Sequence, residues 1–153
     1  MTEVTYSALI MRADQVDLNG DLFSVEALKA AAELANKRGL YLHLNDRWSG
    51  GGVDDILGTA DLEADDEGLH ATGKLMDVKA AESLREIAEN GLKVELYAVP
   101  YGICRKVTEN DDGTRTIEDV SVLGVSLTQH PVDKHLTPVQ FTVGGKVSNE
   151  GNP

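Results

Sequence analysis

The sequence predicts an α+β fold, a mostly antiparallel sheet or small barrel flanked by two helices. Three observations carry that reading. Two stretches place apolar residues at helical spacing, six others read as strands, and most of the connections are short turns. With 153 residues, 41% hydrophobic and 26% charged, the chain has the composition of a globular protein and enough length for one core.

Taken in order, residues 4–11 carry Val, Tyr, Leu and Ile with little interruption and read as a strand. A polar turn, Asp17-Leu18-Asn19-Gly20-Asp21, follows. Ser24 is placed to cap a helix in which Val25, Leu28, Ala31, Ala32 and Ala35 share one face, and Gly39 stops it after Lys37 and Arg38. Residues 40–44 alternate Leu-Tyr-Leu-His-Leu, a strand period that turns His43 away from the leucines. Ser-Gly-Gly-Gly within residues 47–55 marks a loop. Residues 56–63 and 69–75 form a hairpin around the acidic, glycine-ended turn at 64–68. Residues 78–90 place Ala80, Ala81, Leu84, Ile87 and Ala88 on the face of a second helix that ends at Gly91. Strand character then runs through residues 92–107, turns at 109–113, and resumes at 117–128, with Pro100 marking an edge or a bulge. The boundaries expected are one domain over residues 1–141 and an extended C-terminal arm over 142–153, where apolar content is too low to pack by itself.

The formal net charge of -12 is spread along the chain and repels phosphate, so no nucleic-acid partner is expected. An acidic surface also keeps a protein in solution, its commoner meaning. A single cysteine, Cys104, rules out an intramolecular disulfide. The first residues lack a basic region followed by an apolar stretch, and no run approaches the ~18 apolar residues of a membrane span, so neither export nor a membrane partner is expected.

Few side chains suggest chemistry. His130 and His135, five apart around Pro131, do not stack on a helix turn as a pair of zinc ligands does. Asp17, Asn19 and Asp21 resemble the start of a calcium loop, but Leu22 stands where its glycine belongs and Leu28 where its bidentate glutamate belongs; a hydrogen-bonded turn explains them better. Neither a metal nor a cofactor is expected. Cys104 reads as a small core residue, and no separate motif supports its pairing with His43 as a nucleophile. The Ser-Gly-Gly-Gly loop opens no helix with a Lys-Ser/Thr, so it is not a phosphate cradle.

Four segments, in order, resemble the capsid-maturation (prohead) proteases of tailed phages, whose fold is shared with the herpesvirus assembly proteases. These are residues 16–21 leading into a helix; residues 40–46, where His43 occupies the place of the family's catalytic histidine; the hairpin from Ile56-Leu57-Gly58 through Gly68-Leu69-His70-Ala71-Thr72-Gly73; and residues 120–131, with Leu123-Gly124-Val125-Ser126-Leu127-Thr128 before a proline-containing exit. They span about residues 8–141. The departure follows the second helix. There the family's strand carries the serine nucleophile, whereas this chain reads Gly91-Leu92-Lys93-Val94-Glu95-Leu96. One register puts Lys93 at the serine's place and a shifted register puts Ala98 there; no serine occurs between Ser83 and Ser121.

Acyl transfer of this kind needs an oxygen or sulfur nucleophile within reach of a histidine base. The resemblance without the serine implies a catalytically inactive prohead-protease fold, with His43 and Lys93 as vestigial positions. It implies a structural virion protein, a capsid-associated minor capsid or decoration protein assembled in the host cytoplasm. Its expected partners are the major capsid protein and neighbouring copies of itself. The alternative is a working maturation protease that cleaves scaffold and capsid protein during head assembly.

Overall fold

The computed structural model describes residues 2–44, 53–91, 94–133 and 135–147. Its elements run β1 (Val4–Arg12), β2 (Asp21–Phe23), α1 (Val25–Arg38), β3 (Leu40–His43), β4 (Ile56–Ala64), β5 (Gly68–Lys74), α2 (Glu82–Glu89), β6 (Tyr97–Glu109), β7 (Arg115–Thr128), β8 (Gln140–Val143) and β9 (Lys146–Val147). The strands form one sheet in the order β2-β7-β3-β4-β5-β1-β8-β9, with β6 paired to β7 off that path. Pairing is antiparallel except where β2 and β3 each run parallel to β7. The architecture is the expected α+β one, a curled sheet forming a half-barrel with two helices.

Local chemistry accounts for most boundaries. Ser24 Oγ accepts the Ala27 N–H at 3.1 Å, which satisfies one of the donors a helix start leaves over. Gly39, at φ 82°, ends α1 in a conformation that disfavours a Cβ, and its N–H returns to the Ala35 carbonyl. Leu28, Ala31, Ala32 and Ala35 pack against the curled sheet, where Ile10, Leu42, Leu57, Leu69, Ile117 and Val125 are almost wholly buried. Small alanines let the helix lie close to the strands, and the branched and leucine side chains supply the filling.

Four expectations change. β2 is a short strand with no signal of its own, recruited by parallel pairing of Asp21, Leu22 and Phe23 with Arg115, Thr116 and Ile117. The second helix is shorter than residues 78–90: Val78 is extended, residues Lys79–Ala81 form a 3-10 turn, and α2 proper begins at Glu82. No side chain caps either start, so nothing fixes the first turn earlier. The strand after that helix begins at Tyr97: residues 94–96 lie outside any strand, and residues 92–93 are outside the described residues. The boundary at residue 141/142 falls inside β8, where Thr142 and Val143 pair with Thr5 and Val4, and β9 pairs back on β8. The first half of the expected arm is thus sheet, held by backbone pairing that needs few large apolar side chains. Residues 148–153 lie outside the described residues.

The barrel stays open on one side. β8 pairs with β1 only from Val4 to Ser7, and β6 comes alongside the rest of β1 without joining its ladder. Pro100 sits on β6, which among the described residues pairs only with β7, next to a bulge between Tyr101 and Gly102. That is where proline is tolerated, since it has no N–H to give to a ladder.

Candidate active-site face and cleft

His43 ends β3. Its Cα partner on β7 is Ser126, and the partner of Ser126 on β6 is Val99. Paired residues share a face and the side-chain period is two, so His43, Ser126 and Val99 lie on one face, together with Gly124, Tyr101, Tyr97 and Thr128. Ser126 is 4% and Tyr101 7% exposed.

Tyr101 lies across Gly124. A Cβ on Gly124 would stand 2.3 Å from the Tyr101 hydroxyl and 2.4 Å from its Cζ, so only a residue without a side chain accepts the ring there. The ring reaches over β7 to β3 and meets His43 edge to face, with centroids 5.8 Å apart and planes at 65°. Tyr101 therefore fills the space beside His43 on the β6 side.

The other sequence-derived positions scatter. Lys93 lies outside the described residues. Ala98 pairs with Leu127, which turns it to the face opposite His43, where it is 1% exposed in the core. The position on β6 level with Ser126 and His43 is Val99. Cys104 is exposed, contrary to the expected core position, because the second half of β6 has left the core. It pairs with Val120, six positions along β7 from Ser126, which is roughly 20 Å at the rise of a strand and far from His43. Its thiol pKa is pushed up, first by desolvation and then by the Asp21 carboxylate, the opposite of an activated thiol.

Asp17 forms the expected turn: its Oδ1 accepts the N–H of Asn19 at 2.8 Å and of Asp21 at 3.0 Å. Asp21 Oδ1 accepts from Arg115 Nε and lies near Arg115 Nη2, both at 2.7 Å. The backbone N–H of His130 goes to Thr128 Oγ1 and that of His135 to Asp133 Oδ1. Among the described residues no group of three or more His, Cys, Asp and Glu converges as a metal site.

A cleft of about 530 Å³ opens where β1 and β6 fail to pair. Ile10, Phe23, Val122 and Leu136 contribute apolar surface, and Arg12, Asp17, Asp21, His130 and Asp133 are among its polar residues. Tyr101 and Ser126 also line it, so the His43 face and the cleft adjoin. Sequence reading missed Tyr101, Ser126 and Arg12. An isolated glycine inside a strand, Gly124, was the available signal for close approach of another group.

No family model and no curated protein matches the sequence. Among solved structures, the chain is similar to the bacteriophage T4 capsid assembly protease, with a TM-score of 0.64 over 82% of each chain. The fold is prohead-protease-like. At 14% sequence identity the likeness is one of fold alone, the curled sheet with its two helices. Within that fold, no helix among the described residues is long and apolar enough to cross a membrane.

Proposed function

We propose that this chain is a structural phage virion protein, a capsid-associated minor capsid or decoration protein built on a prohead-protease fold without a working nucleophile. One observation carries the reading: the β6 side chains level with His43 on its face are Tyr97, Val99 and Tyr101, the thiol of Cys104 on that face lies far along the strand, and the ring against His43 is that of Tyr101, seated over Gly124. A serine protease needs a small, mobile hydroxyl at that place, within about 3 Å of the imidazole and open to a scissile carbonyl. A tyrosine ring there occupies the volume such a substrate needs.

The partners in this reading are the major capsid protein and neighbouring copies of the chain itself, assembled in the host cytoplasm and carried in the virion. A formal charge of -12 favours a position away from packaged DNA. Quantitative mass spectrometry of purified mature particles tests it. Many copies per particle are expected; a protein present during assembly and absent from mature heads would exclude a structural part.

A second reading, an active maturation protease, is favoured by Ser126, the hydroxyl whose backbone is paired with that of His43. With 4% exposure and Tyr101 on the same face, Ser126 leaves little room for a substrate carbonyl, which is why the structural reading is preferred.

A further inference from the structure

The cleft between β1 and β6 holds an imbalance of partners that the capsid reading does not use. Three carboxylates line it, and each is engaged. Asp17 Oδ1 takes two backbone N–H groups of its own turn. Asp21 is held by the Arg115 guanidinium. Asp133 accepts the His135 N–H on Oδ1, at 2.9 Å, and the backbone N–H of Arg12 on Oδ2, at 3.3 Å.

The guanidinium of Arg12 has no such engagement. Its Nε is buried without a hydrogen-bond partner among the described residues, and no carboxylate among them forms an ion pair with it. Arg12 as a whole is half-buried, and Arg85, which is buried, differs from it in its partners. Arg85, 7% exposed, donates to the carbonyls of Leu75 at 3.1 Å and Thr2 at 2.5 Å and lies 3.9 Å from Glu89. A buried donor left unsatisfied is destabilising, and more so when it is charged, so a protein keeps one mainly where something else completes it.

We propose that Arg12 is the anchor of a ligand site in this cleft, and that the ligand is a carboxylate carried on an apolar body. The guanidinium offers a fork of parallel N–H donors matched to a carboxylate. The apolar surface of Ile10, Phe23, Val122 and Leu136 takes the body, and a volume of about 530 Å³ suits a group of one or two aromatic rings. Asn19, Gln15 and Thr128 line the same cleft and supply neutral polar groups beside the anchor. The acidic field of the whole chain disfavours anions at long range, so recognition depends on direct contact with Arg12. The proposal needs no catalysis and stands or falls apart from the virion reading.

Two sources share this chemistry, a free aryl or alkyl acid and the C-terminal carboxylate of a peptide. Calorimetric titration of the full chain at low salt with four probes separates them: 3-phenylpropionate, its amide, acetyl-Ala-Ala-Phe as the free acid, and the same peptide as its C-terminal amide. At least one acid is expected to bind, with its amide about tenfold weaker or worse, as loss of a charge-assisted pair implies. Binding of phenylpropionate alone assigns a small-molecule acid, binding of the peptide acid alone assigns a chain terminus, and binding of both supports the shared chemistry. Arg12→Gln should reduce acid binding to the level of the amide, and Arg12→Lys should retain part of it. Melting curves of both variants check that they fold; if Arg12→Gln does not, the acid-to-amide ratio of the unmodified chain still decides. Equal binding of acid and amide, no acid binding at millimolar concentration, or unchanged affinity in folded Arg12→Gln would overturn the proposal.

Discussion

Tyr101 and Gly124 act as one feature, since the ring of the first stands where the second would carry a Cβ. Gly124→Ala should therefore push Tyr101 off its seat and away from His43, with a loss of about 1–3 kcal/mol in urea unfolding, the usual cost of overpacking a buried site. Removing the ring in the same molecule, with Tyr101→Ala, should relieve that clash, so the double variant loses less than the sum of the two singles. Strict additivity would mean that the two residues are not in contact. Tyr6 gives a second residue-level test. Its hydroxyl donates to the Thr59 carbonyl at 2.6 Å, and burial, aided by the Asp61 carboxylate, raises its pKa well above the ordinary value of 10.0. An acid whose folded pKa is raised favours its protonated form in the native state. Its contribution is complete below pH 10 and is lost as pH climbs above that value. Tyr6→Phe should cost about 1 kcal/mol at neutral pH and make the alkaline fall in stability shallower than in the parent chain. His43 and its facing direction were legible in the Leu-Tyr-Leu-His-Leu alternation. Which β6 side chain meets His43 was not, because a one-residue slip in register exchanges the two faces of a strand and leaves the composition unchanged.

At the scale of elements, α1 was readable because Ser24, Gly39 and the apolar spacing agree on both ends. α2 was readable only in kind, since no side chain caps its start. What fixes α2 is Arg85, which ties it to the carbonyls of Leu75 at the end of β5 and of Thr2 ahead of β1. A buried arginine at that point has no sequence signal, because helical spacing alone does not say which polar residue turns inward. Arg85→Ala should leave both carbonyls without their donor and cost about 2–3 kcal/mol in denaturant titration; a loss under ~0.5 kcal/mol would show that water replaces it at no cost. The C-terminal segment divides in the same physical way. Deleting residues 148–153 leaves every described strand pairing in place. Deleting 142–153 removes the partners of Val4 and Thr5, uncovers Val4, which is 0% exposed, and should lower the melting temperature. Short strands such as β2, β8 and β9 exist because a neighbour offers a ladder, so their own residues carry little notice of them.

For the whole molecule, the alternation of helix and strand periods, the Gly- and Asp-marked turns and the chain length sufficed for an α+β half-barrel, and the resemblance to prohead proteases ran along nearly all of it. The open side between β1 and β6 was not legible, since it depends on where pairing stops and not on which residues favour strands. That opening places the cleft beside the His43 face, and together they set the central question of whether the fold still performs acyl transfer. Co-expression of the chain with uncleaved major capsid protein and scaffold, followed by intact-mass analysis of all three, tests this most directly. The structural reading predicts that every mass is unchanged, because Tyr101 stands beside His43 where a β6 nucleophile would have to act. Defined shorter products that disappear on His43→Ala or Ser126→Ala would contradict it and establish a working protease.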